Sequence, residues 1–582
     1  MATLIPQHAP VDSFDATGAL VGTGPKGERA HQAHLAHSAT FERTLHAVRD
    51  GVWIYVGNGL SNQVFVEGPE GIIAIDTGES NQEMQNALDA LRQQTATPIV
   101  SIMYTHSHYV AGTEAIVAEI GHEPDIWGHR AIIDNRREIG LETAAIGGRG
   151  LIHQFGMLLP PDGPDALVNC GIGPWFRDPG NHPHTVGYIA PNKTFSETTT
   201  ATIAGLEIEM TPAPSDASDS ITIWIPSLGL CINNILWPAL FNVFPIRGER
   251  FRDPTVLLSG LDHIASLGAE YLLCCHGPPI SGAANIVETA TQYRDSIQLM
   301  LDQTVRGMNR DLSLDELSQF VTLPDQFAND YFTQQHYGLV EHHVKQIYTG
   351  LRGWFDGDAS RLFPLPPIEK ATKLIAGFGG KPAVRSQVDQ AIADNDLRWA
   401  LEMASWLVKC ETDAIGRADG GDPEDRARLA TVLRSIGQRT TSANLRNWCL
   451  TRALELEGTL DLTRFRTHRF TVGVVLNTAP EDSVAALRVL CKPEAAPTEP
   501  SELVWHFADG PSIGLIQRNG VAVVVAPNQQ AQSITLSHET WAKLLAGKIP
   551  LSEAIDSGAI VATDTAFTKQ FLAGFDVASF GD

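Results

Sequence analysis

The chain is short of cysteine and of positive charge. Its 582 residues include seven Cys (170, 231, 274, 275, 410, 449 and 491), an odd number without framework spacing. That excludes a disulfide-stapled scaffold and fits a reducing compartment. Cys274 and Cys275 sit side by side in an apolar run, where packing is expected rather than redox chemistry. Lys and Arg number 42 against 67 Asp and Glu, a net charge of −25. Such a chain has no general attraction to nucleic acid or to an anionic membrane surface. No stretch reaches about 18 consecutive apolar residues, so no membrane span is expected. The opening MATLIPQHAPVDSF lacks the basic segment and apolar core of a secretory signal. These absences point to a soluble, cytoplasmic protein.

What is present is core-forming material. With 43% hydrophobic and 19% charged residues, global disorder is excluded, and the length suits about three or four domains. Residues 1–45 show no clear period and are expected as an N-terminal arm. From 46 to about 300, short apolar runs alternate with turn signals. Strands are expected at 52–56, 63–66, 71–75, 99–104, 202–210, 221–225, 228–232 and 271–275, with a helix over 81–93, which indicates a layered α/β domain. Residues 301–458 carry helical spacing, as in Val384, Val388, Ala391 and Ile392. Asp422-Pro423 reads as a helix start and Gly437 as a stop, within a stack similar to tetratricopeptide pairs. From 459 to 582 a small α+β domain is expected. It has strands at 470–476, 503–507 and 513–526, the last split by Asn519-Gly520 into a hairpin, and helices near 539–547, 551–556 and 564–572.

The segment with chemistry is Tyr104-Thr105-His106-Ser107-His108-Tyr109-Val110-Ala111-Gly112-Thr113. Two His at i and i+2 just past a buried strand can start a metal site, since neutral imidazole suits Zn and related ions. Solvated loop histidines are the alternative. Further back stands Gly71-Ile72-Ile73-Ala74-Ile75-Asp76-Thr77-Gly78. The order strand, Asp-Thr-Gly, helix, strand, T-H-S-H resembles the metallo-β-lactamase superfamily. Later segments resemble its alkyl sulfatase branch: Thr211-Pro212-Ala213-Pro214-Ser215-Asp216 for T-P-G-T-E, Asn242 with Arg247-Gly248 and Arg252-Asp253 for N-x4-R-G…R-D, Cys275-His276-Gly277-Pro278 for the late ligand His, and Tyr337-Gly338 with 350–367 for the entry to a helical dimerisation domain.

The resemblance implies a metallo-β-lactamase-like αββα sandwich (46–300), an all-α dimerisation domain (301–458) and a sterol-carrier-protein-like α+β domain (459–582). It implies metal ligands at His106, His108, Asp216, Asn234 and His276, substrate contacts from Asn242 and Arg247, and catalytic roles for Tyr337 and Asp76. The departures are specific. Active members carry H-x-H-x-D-H, and the last two positions here are Val110 and Ala111. A family Glu falls at Asn234 (or Asn233), and another is shortened to Asp216. Two cations need about six protein donors, so one divalent ion, Zn by its ligands, is expected rather than two.

The implied activity is hydrolysis of a sulfate ester of an apolar alcohol, with a small anionic amphiphile as substrate, no nucleic-acid partner, no membrane span and a homodimeric assembly. Two alternatives stand beside it: a lyase or other hydrolase on the same scaffold, and a non-catalytic carrier of amphiphilic anions. Arg247 reads either as an anion fork or as a surface Arg paired with Glu249 or Asp253. His182 and His184, His342 and His343 are weaker candidates. Trp237, Leu240, Phe241 and Phe244 read as an apolar wall for an alkyl chain or as core.

Overall fold

Val52–Val56 (β4), Gln63–Gly68 (β5) and Gly71–Ile75 (β6) are almost wholly buried in the computed structural model, because a layer covers each face of their sheet. The structure describes residues 12–138, 141–411, 421–466, 468–495, 497, 499–508 and 510–581. The chain divides into two units, one of Met1–Ile133 and Gly150–Asp461, the other of Asp134–Arg149 and Leu462–Asp582.

In the first unit, Val21–Thr23 (β1) and Arg29–His31 (β2) form a hairpin that leads into the helix Gln32–His37. The described part of the expected arm is therefore ordered. Its buried face consists of His31, His34 and His37, so apolar periodicity was silent there. Thr44–Arg49 (β3), β4, β5, β6, Ile99–Met103 (β7), Asp125–His129 (β8) and Lys193–Phe195 (β9) form a seven-stranded sheet in sequence order. Thr199–Ile203 (β10), Leu206–Pro212 (β11), Ile221–Ile225 (β12), Leu230–Asn233 (β13), Tyr271–Cys274 (β14) and Ile280–Ser281 (β15) form a six-stranded sheet, also in order. Residues 202–210 are thus not one strand. The chain turns at Ala204 and Gly205, both at positive φ (51° and 78°), and pairs Ile203 with Leu206.

Aliphatic side chains from both sheets, including Val52, Ile54, Ile73, Ile208, Ile223 and Ile232, fill one core between them. The helix Asn81–Arg92 covers the outer face of the first sheet, while Pro254–Ser266 and Ala283–Met308 cover the second. This is the αββα sandwich.

Helices Pro367–Gly377, Lys381–Ala393, Leu397–Lys409, Pro423–Arg439 and Ala443–Leu456 then pack around their own apolar cluster. Asp422 caps the fourth as expected, but Gly437 does not end it. A Cβ there would lie 3.2 Å from that of Cys449, so the glycine serves close helix packing instead.

In the second unit a five-stranded sheet runs β18-β17-β16-β19-β20: Ser501–Phe507 (β16), Ser512–Arg518 (β17), Val521–Val525 (β18), Gln532–Leu536 (β19) and Ile560–Ala562 (β20). Asn519 and Gly520 make the expected two-residue turn, both at positive φ. Residues 472–476, expected as strand, are helical: Thr471 caps the turn by accepting from Val474 N–H, which outweighs the β preference of the valines.

Candidate active site

The ends of five strands meet at one edge of the sandwich. Asp76 follows β6, His106 and His108 follow β7, Asp216 follows β11, Asn234 follows β13, and His276 comes shortly after β14. Backbone bonds fix the histidine loop: Thr77 N–H donates to Tyr109 O at 2.8 Å and Ala111 N–H to Gly78 O at 2.9 Å. Asp76 sits at φ +56°, a left-handed conformation that Asp tolerates better than most residues.

His106 is oriented from behind. Its Nδ1 lies 2.9 Å from Thr105 Oγ1, whose hydroxyl donates to Asp76 Oδ2 at 2.6 Å. Thr105 N–H takes Asp76 Oδ1 at 2.8 Å, and the Cys275 thiol lies 3.8 Å from Oδ2. With Nδ1 as donor to Thr105, His106 Nε2 keeps its lone pair. That atom is buried without a hydrogen-bond partner, 4.0 Å from Asp216 Oδ1. His276 is held in the same way, Nδ1 2.8 Å from Leu60 O and Nε2 buried and unpartnered. Burial pushes both imidazoles down, His106 to about 3 and His276 to about 4, so both are neutral.

His108 differs. Its Nδ1 meets Asp216 Oδ2 at 3.0 Å. Burial opposes its protonation, but the Asp216 carboxylate outweighs that and raises its pKa. Asp216 itself is held well below the carboxylate range by His108 and His106, against the effect of burial.

A divalent cation fits this edge. One donor atom from each of His106, His108 and Asp216 lies within 4.8 Å of the others, and His106 Nε2 has no other partner. Asp76, His106 and Cys275 also approach within 4.8 Å of one another, but the Asp76 oxygens are already engaged by Thr105. Asp76, expected as catalytic, accepts from Thr105 through both oxygens, behind the His106 ring.

Val110 and Ala111 carry no donor. Val110 is packed into the apolar cluster with Met84, Leu88 and Ile116. Asn234 turns its amide N–H to Asp216 Oδ1 at 2.6 Å, and its Oδ1 is buried and unpartnered.

A cationic pocket is assembled from nearby residues. Arg247 Nε donates to Glu249 Oε1 at 2.8 Å, its Nη1 lies 3.4 Å from Tyr337 Oη, and its backbone N–H donates to Gln154 Oε1 at 3.1 Å. Gln154 Nε2 donates to the same Tyr337 oxygen at 3.0 Å. Burial pushes the Tyr337 phenol up to about 12, so it stays protonated. Arg252 Nη1 donates to Asn242 O at 2.6 Å, and the Asn242 amide leaves both polar atoms buried and unpartnered. The pairing of Arg247 with Glu249 is the alternative read from sequence, here on an Arg side chain only 11% exposed.

The remaining candidates divide. His182 and His184 lie on an exposed loop, ring centroids 6.2 Å apart. His343 is buried and accepts from Phe244 N–H at 3.2 Å beside Asn242, whereas His342 is not fully buried. Trp237, Leu240 and Phe241 are core, with Trp237 stacked on Phe241 and standing edge-on to His276 and Tyr337.

Sequence reasoning missed Thr105, Gln154 and the buried carboxyls Glu79 and Glu83. Glu79 accepts from Arg177 N–H at 3.1 Å, and burial raises it to about 7. The only sequence signal was two Glu four apart after Asp-Thr-Gly, which by itself reads as an exposed helix start.

Three comparisons bear on this arrangement. A family model described as alkyl sulfatase dimerisation matches residues 313–459. A linear primary-alkylsulfatase from a Pseudomonas species is 35% identical over 404 residues, covering 68% of this chain and 74% of the relative. An alkyl/aryl-sulfatase of Saccharomyces cerevisiae is 26% identical over 528 residues, covering 88% and 79%. The solved structure of the stereoselective inverting sec-alkylsulfatase Pisa1 from Pseudomonas superposes with a TM-score of 0.82 at 23% identity, covering 98% of this chain and 90% of that one. At 35% identity across about two thirds of its length to a linear primary-alkylsulfatase, and with a segment that matches the alkyl sulfatase dimerisation model, the chain belongs to the alkyl sulfatase family.

Proposed function

We propose that the chain hydrolyses sulfate monoesters of apolar alcohols, releasing alcohol and inorganic sulfate, with a single zinc ion on His106, His108 and Asp216, and with His276 as a further donor that would have to move in toward them. The observation that carries this is the pair of buried, partnerless imidazole nitrogens, His106 Nε2 and His276 Nε2, at the edge shared with Asp216 and backed by Arg247. A nitrogen kept neutral and bare in a protein interior costs stability unless it has a ligand. The donor set of imidazoles with one carboxylate suits Zn. When bound, the ion supplies Lewis acidity and lowers the pKa of a coordinated water to about 7.

One ion is proposed because the remaining positions cannot hold a second: Val110 and Ala111 have no lone pairs, and the amide of Asn234 is turned as a donor toward Asp216. The residues do the rest. Arg247 and Asn242 orient the sulfate oxygens, and Tyr337, protonated and already accepting from Gln154 and Arg247, offers its O–H to the ester oxygen. Asp76 and Thr105 fix the His106 ring.

The helical segment is proposed to form a homodimer, since the matching family model is described as a dimerisation region. All seven cysteines are free, which supports a reducing compartment such as the cytoplasm. No helix among the described residues is long and apolar enough to cross a membrane.

The test combines elemental analysis with sulfate release from dodecyl sulfate and a set of phosphate and carboxylic esters. About one zinc per chain that is lost in His106→Ala, with sulfate release lost in parallel, is the expected result. Metal-free protein that binds dodecyl sulfate without turnover would favour the carrier alternative instead.

A further inference from the structure

Glu249 places a carboxylate on the guanidinium that the proposed function assigns to the substrate's sulfate. Arg247 donates to its Oε1 through both Nε and Nη2, and Arg252 Nη2 donates to its Oε2. One carboxylate thus bridges two arginines, leaving one net positive charge in the pocket. Arg252 is tied down by its second bond to Asn242 O and is 5% exposed. Burial would raise the Glu249 carboxyl, but the Arg247 and Arg252 charges more than offset this and hold it at about 2, so it is ionised at any working pH. It also interacts electrostatically with His108 and Asp216, so the carboxylate belongs to the same charged neighbourhood as the histidine edge.

It follows a tight turn: Gly248, the residue before it, has φ +85° and donates its N–H to Pro245 O at 2.9 Å, and open space flanks it, with nothing within 4 Å of a Cβ built there. The Glu249 side chain is 26% exposed, against 11% for Arg247 and 4% for Arg252. The carboxylate is the most exposed of the three groups, so solvent and small anions reach it before the two cations. A sulfate monoester offers the same planar pair of oxygens to a guanidinium that a carboxylate does. The Asn242 amide, buried with neither polar atom partnered, stands ready beside it.

We propose that Glu249 is a resident anion that the substrate's sulfate group displaces from Arg247 and Arg252, and that it sets the affinity of this pocket for anions. The inference rests on the reading of Arg247 as the sulfate-binding residue. It does not require that the chain turn anything over. A displaced Glu249 brings an extra negative charge near an incoming anion, so weak anions such as carboxylates are discriminated against most strongly.

The experiment measures binding of inorganic sulfate to the purified full chain by calorimetry, for wild type, Glu249→Gln, Glu249→Ala and Arg247→Gln/Glu249→Gln. Thermal unfolding of each variant confirms the fold. Glu249→Gln is expected to bind sulfate at least about tenfold more tightly than wild type, with Glu249→Ala in the same direction and the gain abolished in the double variant. In turnover, KM for an alkyl sulfate falls by a larger factor than any change in kcat. Sulfate affinity unchanged or weakened in folded Glu249→Gln and Glu249→Ala overturns the inference, and Glu249 then merely props Arg247. If sulfate binding tightens while no sulfate ester is hydrolysed by any form, the resident anion stands and the hydrolase reading falls. Hydrolysis with no tightening leaves the hydrolase reading standing and refutes the resident anion.

Discussion

Asn234 donates its amide N–H to Asp216 Oδ1 at 2.6 Å, from the end of one strand to the end of another. A carboxylate in place of that amide would need a second cation to lie so near Asp216. An amide needs none, because its N–H is itself attractive to the oxygen. On the proposed one-metal reading, Asn234 satisfies Asp216 without a second ion, and Val110, packed with Met84, Leu88 and Ile116, adds apolar core and no donor.

Asn234→Glu alone is therefore expected to destabilise the metal-free protein, by about 1–3 kcal/mol, because a hydrogen bond becomes a contact between two buried carboxylates. Denaturant unfolding checks it. The same substitution combined with Val110→Asp and Ala111→His should raise bound zinc from about one to two ions per chain by elemental analysis. A triple variant that still binds one ion would mean that backbone geometry, not donor loss, limits the site.

Thr105→Val removes the hydroxyl that joins Asp76 Oδ2 to His106 Nδ1 while keeping side-chain volume. Groups that orient a ligating imidazole typically contribute 10–100-fold in metal affinity, so zinc should bind about 10–100-fold more weakly. Competition with a chromophoric chelator measures this. Unchanged affinity would show that Asp76 and Thr105 only anchor the loop.

How much of this was legible follows the physics of each element. Strands buried on both faces, such as β4 and β6, announce themselves as unbroken apolar runs. That His106 and His108 come together with Asp216 at one edge was legible because a histidine pair at i and i+2 past a buried strand has a spacing that can be matched. The helix Gln32–His37 was not, since its buried face is built of histidine, and a polar residue that packs inward leaves no hydrophobic period. Nor was the hairpin at Ala204-Gly205, where alanine occupies a positive φ that sequence rules reserve for Gly or Asn. Gln154 contacts Tyr337 from 183 residues away, a separation that no local pattern records.

Gly338 lies against the anion pocket, where a Cβ would stand 2.4 Å from His343 Cε1 and 2.5 Å from Asn242 Oδ1. Both neighbours are fully buried and have no room to retreat. Gly338→Ala should push the Asn242 amide out of position, costing about 1–3 kcal/mol of stability as overpacking does. KM for an alkyl sulfate should rise more than kcat falls. Equal loss in both would place the strain on the metal edge rather than on the anion pocket.

The neutral histidines set a pH dependence of stability with a definite sign. His106 at about 3 and His276 at about 4 refuse protons that an unfolded imidazole accepts below about 6.5. The unfolded metal-free chain therefore gains protons relative to the folded one as pH falls from about 6.5 toward 4. Stability should drop across that window by up to about 1.4 kcal/mol per pH unit for each of the two sites. His108 acts elsewhere: its raised pKa stabilises fully below about 6.5 and is lost only as pH rises through the raised value. Asp216, held low, keeps its contribution until pH falls through its lowered pKa. In the window from 6.5 to 4 the buried His34 and His343, also held low, add to the fall, while Asp76 and Glu79, raised by burial to about 7, oppose it. The share of His106 and His276 is therefore the difference between wild type and a variant lacking both. Urea unfolding at several pH values measures it, and His106→Gln with His276→Gln should reduce the fall relative to wild type. A double variant with the same slope as wild type would contradict the neutral, ligand-ready imidazoles at the sandwich edge.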